Sequence, residues 1–223
     1  MWTATFTEVS ADPQVRLFTA QCGNPAGRPV LVIHGGPDWD HSYLREPLDA
    51  PHRVRSLVIA SSTVLPVPPD AFQGWAERDR RLADQADVWS DPALSGPAQT
   101  RADAFASAPA NVWLPEALPG YLARLEKIQF SYEWAHPWLA GTLPSAQCDD
   151  ATTRLGALGI PILVLHGRYD MTFPAALAQR AADLIPAVRA IIVDNAGHMA
   201  HIDQPEQWLT AVSEFLASPT PVG

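Results

Sequence analysis

Residues 162–170 read Ile-Leu-Val-Leu-His-Gly-Arg-Tyr-Asp. Pro161 and the four apolar residues after it show no alternation of apolar and polar positions. That is the pattern of a parallel strand covered on both faces, predicted over 161–165. Asp170 follows just past the strand, at the sheet edge where α/β proteins hold their ligands. Residues 188–193, Val-Arg-Ala-Ile-Ile-Val, read as a second such strand and run into Asp194-Asn195-Ala196-Gly197-His198. A helix is predicted between them over 174–185, opened by Pro174. Another follows over 205–216, with Trp208, Leu209, Val212, Phe215 and Leu216 on one stripe. Strand, helix, strand, helix implies a mostly parallel α/β sheet.

The upstream sequence supplies more of it. Residues 29–33, Pro-Val-Leu-Val-Ile, and 54–60, Val-Arg-Ser-Leu-Val-Ile-Ala, read as parallel strands. Residues 3–9 alternate and pair naturally with 15–21 through a turn at Ala11-Asp12-Pro13. Residues 66–150 break the rhythm. They are rich in Pro, Ala, Trp and charge, carry no strand pattern, and look helical over 70–86 and 116–134. No internal repeat is evident.

Composition narrows the class. With 47% hydrophobic and 17% charged residues in 223, the chain reads as globular. A net charge of −9 opposes nucleic acid or an anionic membrane as partner. The longest apolar runs are about six residues, far short of a membrane span. The first residues have neither the basic start nor the apolar core of a signal peptide, so the expected compartment is the cytoplasm. Two cysteines, Cys22 and Cys148, are too few for a disulfide framework. No metal, nucleotide or other cofactor motif is present, and the expected ligand is a small molecule or short peptide.

Three segments together resemble the α/β-hydrolase superfamily, and within it the proline iminopeptidase group. His34-Gly35-Gly36-Pro37 resembles that group's oxyanion loop, His166-Gly167-Arg168-Tyr169-Asp170 its acid loop, and Gly197-His198 its histidine loop. Ala123-Arg124-Leu125-Glu126 resembles a cap segment whose glutamate holds the substrate's amino terminus. The resemblance covers roughly residues 28–50 and 51–215, broken near Ala50-Pro51. It implies an α/β-hydrolase core, split over 1–65 and 151–223, with a helical cap over 66–150 inserted into it. The family's nucleophile elbow, Gly-x-Ser-x-Gly, occurs nowhere in the chain. Measured against the family, at least about 60 residues are absent at the break, two strand–helix units of about 30 each. The expected sheet is therefore incomplete, with its central strands missing. Unpaired backbone is costly, so dimerisation or strand exchange is one expected consequence.

Roles follow from the chain order Ser…Asp…His. Asp170 is expected to orient the base and His198 to be that base. The alternatives are a helix-capping aspartate and a surface-loop histidine, with His201 as the rival base. Gly36 is expected to donate its N–H to an oxyanion; a plain tight turn also fits. Glu126 is the candidate for an ammonium contact, with a solvated helix face as its alternative and Glu133 as a weaker substitute. His34 and His166 read as loop supports, and His41, His52 and His136 carry no pattern. Trp134 and Trp138 could line a pocket or simply pack. No nucleophile is identifiable. Ser61 and Ser62 end a parallel strand at the correct edge but lack the glycine-flanked turn, and Ser42 is weaker still. The resemblance implies release of an N-terminal residue from peptides through an acyl-enzyme, impaired by the absent serine. A non-catalytic binding protein, a deletion remnant and an esterase or lactonase are the alternatives.

Overall fold

The computed structural model of the chain describes residues 3–11, 14–21, 55–133, 135–142 and 150–218. The expected strand at 29–33, the break at Ala50-Pro51, Gly36, Ser42, Trp134 and both cysteines lie outside them. Two compact units are present, Met1–Gly36 and Pro37–Gly223. In the first, β1 (Thr3–Ala11) and β2 (Gln14–Gln21) form the expected antiparallel hairpin, with Phe6 opposite Phe18 and an irregularity between Glu8 and Ser10.

The second unit is built on three parallel strands in the order β3 (Leu57–Ala60), β4 (Ile162–Gly167), β5 (Val188–Val193). Leu57 pairs with Ile162, and Ile162 with Val188. Every residue of the middle strand, β4, is buried. Leu163 and Leu165 join Val193, Ala196, Ala200, Ala211 and Phe215 in a core. The last two come from α9 (Pro205–Ala217), which also packs Trp208, Val212 and Leu216 of its predicted stripe here, while Leu209 of that stripe is 61% exposed. Helix α7 (Ala175–Leu184) connects β4 to β5 and packs on both, burying Leu177, Ala178 and Ala181. A short helix, α8 (Ala200–Asp203), precedes α9.

Between β3 and β4 the described residues are helical: α1 (Ala76–Arg81), α2 (Gln85–Ser90), α3 (Pro97–Asn111), a 3₁₀ turn (Pro115–Ala117), α4 (Leu118–Leu125), α5 (Ala135–Leu139) and α6 (Ala151–Ala157). Three details differ from expectation. The helix expected over 70–86 is two short ones. That expected over 116–134 ends at Leu125. The fifteen-residue α3 was not anticipated. Helix α3 opens on Pro97 after Gly96, whose φ of +58 suits a glycine. One side chain meets carbonyls at its end and just beyond it. The Arg81 guanidinium donates to Pro109 O and Val112 O at 2.8 and 2.7 Å and to Trp113 O at 3.1 Å. Ala108, Val112, Tyr121 and Leu125 then form a second core, against which Met199 and Ile202 pack from beyond β5.

Candidate active site

The site begins where two loops leave the sheet. Gly167 ends β4, and its backbone lies hard against the loop after β5. A Cβ on Gly167 would fall 2.1 Å from Gly197 O and 2.6 Å from Ala196 O. Only glycine permits that approach. Arg168 N–H donates to Val193 O, and Tyr169 N–H to Ala196 O, both at 2.9 Å. Asn195, at φ +52, turns the second loop back, a conformation asparagine tolerates better than most side chains.

This closeness brings Asp170 and His198 together. His198 Nδ1 donates to Asp170 Oδ2 at 3.0 Å. Asp170 is buried, and its Oδ1 accepts Thr172 N–H and Phe173 N–H at 2.7 and 2.9 Å. Burial pushes its carboxyl pKa up, but hydrogen bonds from His166 and His198 outweigh that and hold it well below the usual carboxylate range. An ionised Asp170 fixes the His198 proton on Nδ1. It leaves the lone pair on Nε2, which makes no hydrogen bond among the described residues. The His198 side chain is 19% exposed, with the Phe173 ring 5.8 Å away. One ring nitrogen is thus oriented by a carboxylate while the other is left open.

His166 is fully buried and reaches the same carboxylate. Its Nε2 lies 3.0 Å from Asp170 Oδ2 and 2.8 Å from Phe173 O. Two acceptors at Nε2 place the proton there. Nδ1 is buried with no partner among the described residues. The expectation of loop support did not extend to this contact with Asp170.

No hydrogen bond joins the remaining described candidates to the pair. His201 is exposed on α8, its ring edge-on to Trp208 at 5.9 Å. Glu126 follows α4 and is more than half exposed, its Oε2 2.5 Å from Arg101 Nη2. Glu133 is exposed and Trp138 half-exposed. Ser61 and Ser62 leave the carboxyl end of β3. Ser61 N–H donates to Leu165 O at 2.9 Å with Ser61 at φ +48, and neither hydroxyl bonds to His198. Among the described residues no group of three or more His, Cys, Asp or Glu could hold a metal, and no helix is long and apolar enough to cross a membrane.

One further carboxylate was missed. Asp203 is buried and accepts Gly197 N–H, Trp113 N–H and Leu114 N–H. Nothing in its local sequence marks it, because two of its partners lie about ninety residues away.

The family model for the alpha/beta hydrolase fold matches residues 41–205. The chain belongs to that family. This α/β-hydrolase-fold chain is 35% identical to the carboxylesterase YbfK of Bacillus subtilis (strain 168) over 63 residues, 28% of the chain and 21% of that protein. It is 30% identical to a proline iminopeptidase of Heyndrickxia coagulans over 69 residues, 31% of the chain and 24% of that protein. Among solved structures, 2-hydroxy-6-oxo-6-phenylhexa-2,4-dienoate hydrolase (BphD) from Rhodococcus sp. strain RHA1 superposes with a TM-score of 0.54 at 18% identity. That likeness covers 79% of this chain and 60% of that one. The chain thus spans about three fifths of that structure's length, and it aligns with about a quarter or less of these curated relatives.

Proposed function

We propose that the chain is a hydrolase of acyl compounds in which His198 is the general base and Asp170 the acid that orients it. The observation that carries this reading is the 3.0 Å bond from His198 Nδ1 to a buried carboxylate whose other oxygen is held by two backbone N–H groups. In the reaction, a hydroxyl attacks the substrate carbonyl while Nε2 takes its proton. The resulting imidazolium keeps its Nδ1–H on Asp170. Nε2 then returns the proton to the leaving group, and water releases the acyl-enzyme. Because the chain has no Gly-x-Ser-x-Gly, another hydroxyl must attack, and Ser61 is the candidate at the correct sheet edge. The two curated relatives described above are an esterase and an iminopeptidase, and they support a small ester or a peptide's N-terminal bond as the substrate class. In the iminopeptidase form, the substrate ammonium replaces Arg101 as the partner of Glu126.

The absent elbow favours a second reading, a protein that keeps the pocket and binds without turnover. Intact mass after exposure to a fluorophosphonate separates the two. A single adduct on the wild type that is lost in His198→Ala supports the hydrolase, and peptide mapping names the hydroxyl. A folded chain that takes up no adduct overturns the hydrolase and leaves a binding protein or a deletion remnant.

A further inference from the structure

His198 stands between two backbone N–H groups that lead to one short stretch of the helical region. On one side, Gly197 N–H donates to Asp203 Oδ2 at 2.8 Å. The same oxygen takes Trp113 N–H at 2.8 Å, and Oδ1 takes Leu114 N–H at 3.0 Å. On the other side, Met199 N–H donates directly to Asn111 O at 2.7 Å. Gly197 itself has no spare room. A Cβ there would lie 3.0 Å from Trp113 N and 3.1 Å from Asn111 O. The same stretch also touches the acid loop, since the Trp113 ring stacks on Tyr169 at 3.9 Å and 14°. Tyr169 immediately precedes Asp170.

Asp203 is only 6% exposed and has no ion-pair partner among the described residues. A buried carboxylate is expensive unless its oxygens are met, and here three backbone N–H groups meet them. Those donors come from two segments, 113–114 and 197, which the Met199–Asn111 bond also joins on the far side of His198. A side chain placed there for packing alone would need no charge.

We propose that Asp203 is a positioning residue for His198. By tying Gly197 to Trp113 and Leu114, it makes the helical region set the angle at which the imidazole meets Asp170. Calling His198 the base rests on the functional reading above; the tether itself does not.

The test reads the His198 Nδ1–H proton directly, by NMR of the full chain with ¹⁵N-labelled histidine. Loss of the strongly downfield resonance in Asp170→Asn assigns it. Asp203→Ala is expected to lose the resonance while the chain stays folded. Asp203→Asn keeps a carbonyl for the Gly197 and Trp113 donors and is expected to retain it. A resonance unchanged in folded Asp203→Ala overturns the proposal, whatever happens to stability, because a merely structural residue would leave the ring on Asp170. Where Asp203→Ala does not fold, hydrogen exchange on the wild type decides. Gly197 and Trp113 amides are expected to exchange together, and Gly197 exchanging about tenfold faster or more overturns the tether. Neither readout uses substrate. A chain that takes up no fluorophosphonate yet loses the resonance in Asp203→Ala therefore sinks the hydrolase reading and leaves this one standing.

Discussion

His166 and His198 each bring a ring nitrogen to 3.0 Å from one and the same oxygen of Asp170, Oδ2. The other oxygen is occupied by Thr172 and Phe173 N–H. The carboxylate cannot turn without giving up contacts on both sides, which is how a second, buried imidazole helps to aim the first. Replacing His166 with phenylalanine keeps a ring but removes the N–H, leaving Phe173 O without that donor. His166→Phe is expected to lower stability by about 1–3 kcal/mol in urea unfolding. It should also shift the His198 Nδ1–H resonance. An unshifted resonance would mean that the contact with Oδ2 is incidental.

The depressed pKa of Asp170 has a consequence in acid. Its folded value lies below the usual carboxylate range, and its unfolded value is about 4. The unfolded chain therefore binds this proton first as pH falls. The stabilisation is present in full above about pH 4 and is lost progressively below it, toward the folded value. Urea midpoints measured between neutral pH and pH 3 should fall more steeply in the wild type than in Asp170→Asn. Parallel curves would show that the carboxylate is not held ionised by its neighbours.

Strands and loops near the sheet edge were legible because they are local statements. Val188–Val193 forms over the predicted residues, and α9 differs from its predicted span by one residue at its end. Gly167 and Gly197 were visible as glycines, though only the structure shows that each touches backbone across a loop. Helix α3 escaped because its buried positions are Gln99, Thr100, Ala108 and Ala110, with Phe105 its one large apolar core contact, so no wide apolar stripe marks it. The helix expected through 134 stops at Leu125. Beyond it Ile128 is exposed, and Phe130 reaches the second core from an irregular stretch. Asp203 was illegible in principle: its role is defined by backbone donors distant in sequence.

The two site glycines should differ in cost. A methyl on Gly167 meets backbone carbonyl oxygens at 2.1 and 2.6 Å, so the acid and histidine loops must part. A methyl on Gly197 meets Trp113 N at 3.0 Å and Asn111 O at 3.1 Å, which a shift of a few tenths of an ångström relieves. Gly167→Ala is expected to cost about 3 kcal/mol or more, and Gly197→Ala about 1–2 kcal/mol. Both are read from denaturant midpoints at constant slope. The reverse order would place the tight contact between the helical region and the histidine loop.

Arg81 provides the last test, because one guanidinium terminates α3 and anchors the stretch that follows it. The side chain is 11% exposed, donates to three carbonyls, pairs with Glu77 Oε1 at 2.7 Å and lies 4.9 Å from the Trp113 ring centre. Lysine can supply the charge but not a planar fork that reaches all three carbonyls at once. Arg81→Lys is therefore expected to lose most of what Arg81→Ala loses, about 2–4 kcal/mol, since buried acceptors are left unmet in both. The loss should also loosen Trp113 from Tyr169. Tryptophan fluorescence would register that as a change in the native baseline, before global unfolding. If Arg81→Lys instead matches the wild type in both stability and baseline, the guanidinium acts as a charge alone, and the end of α3 is held by packing.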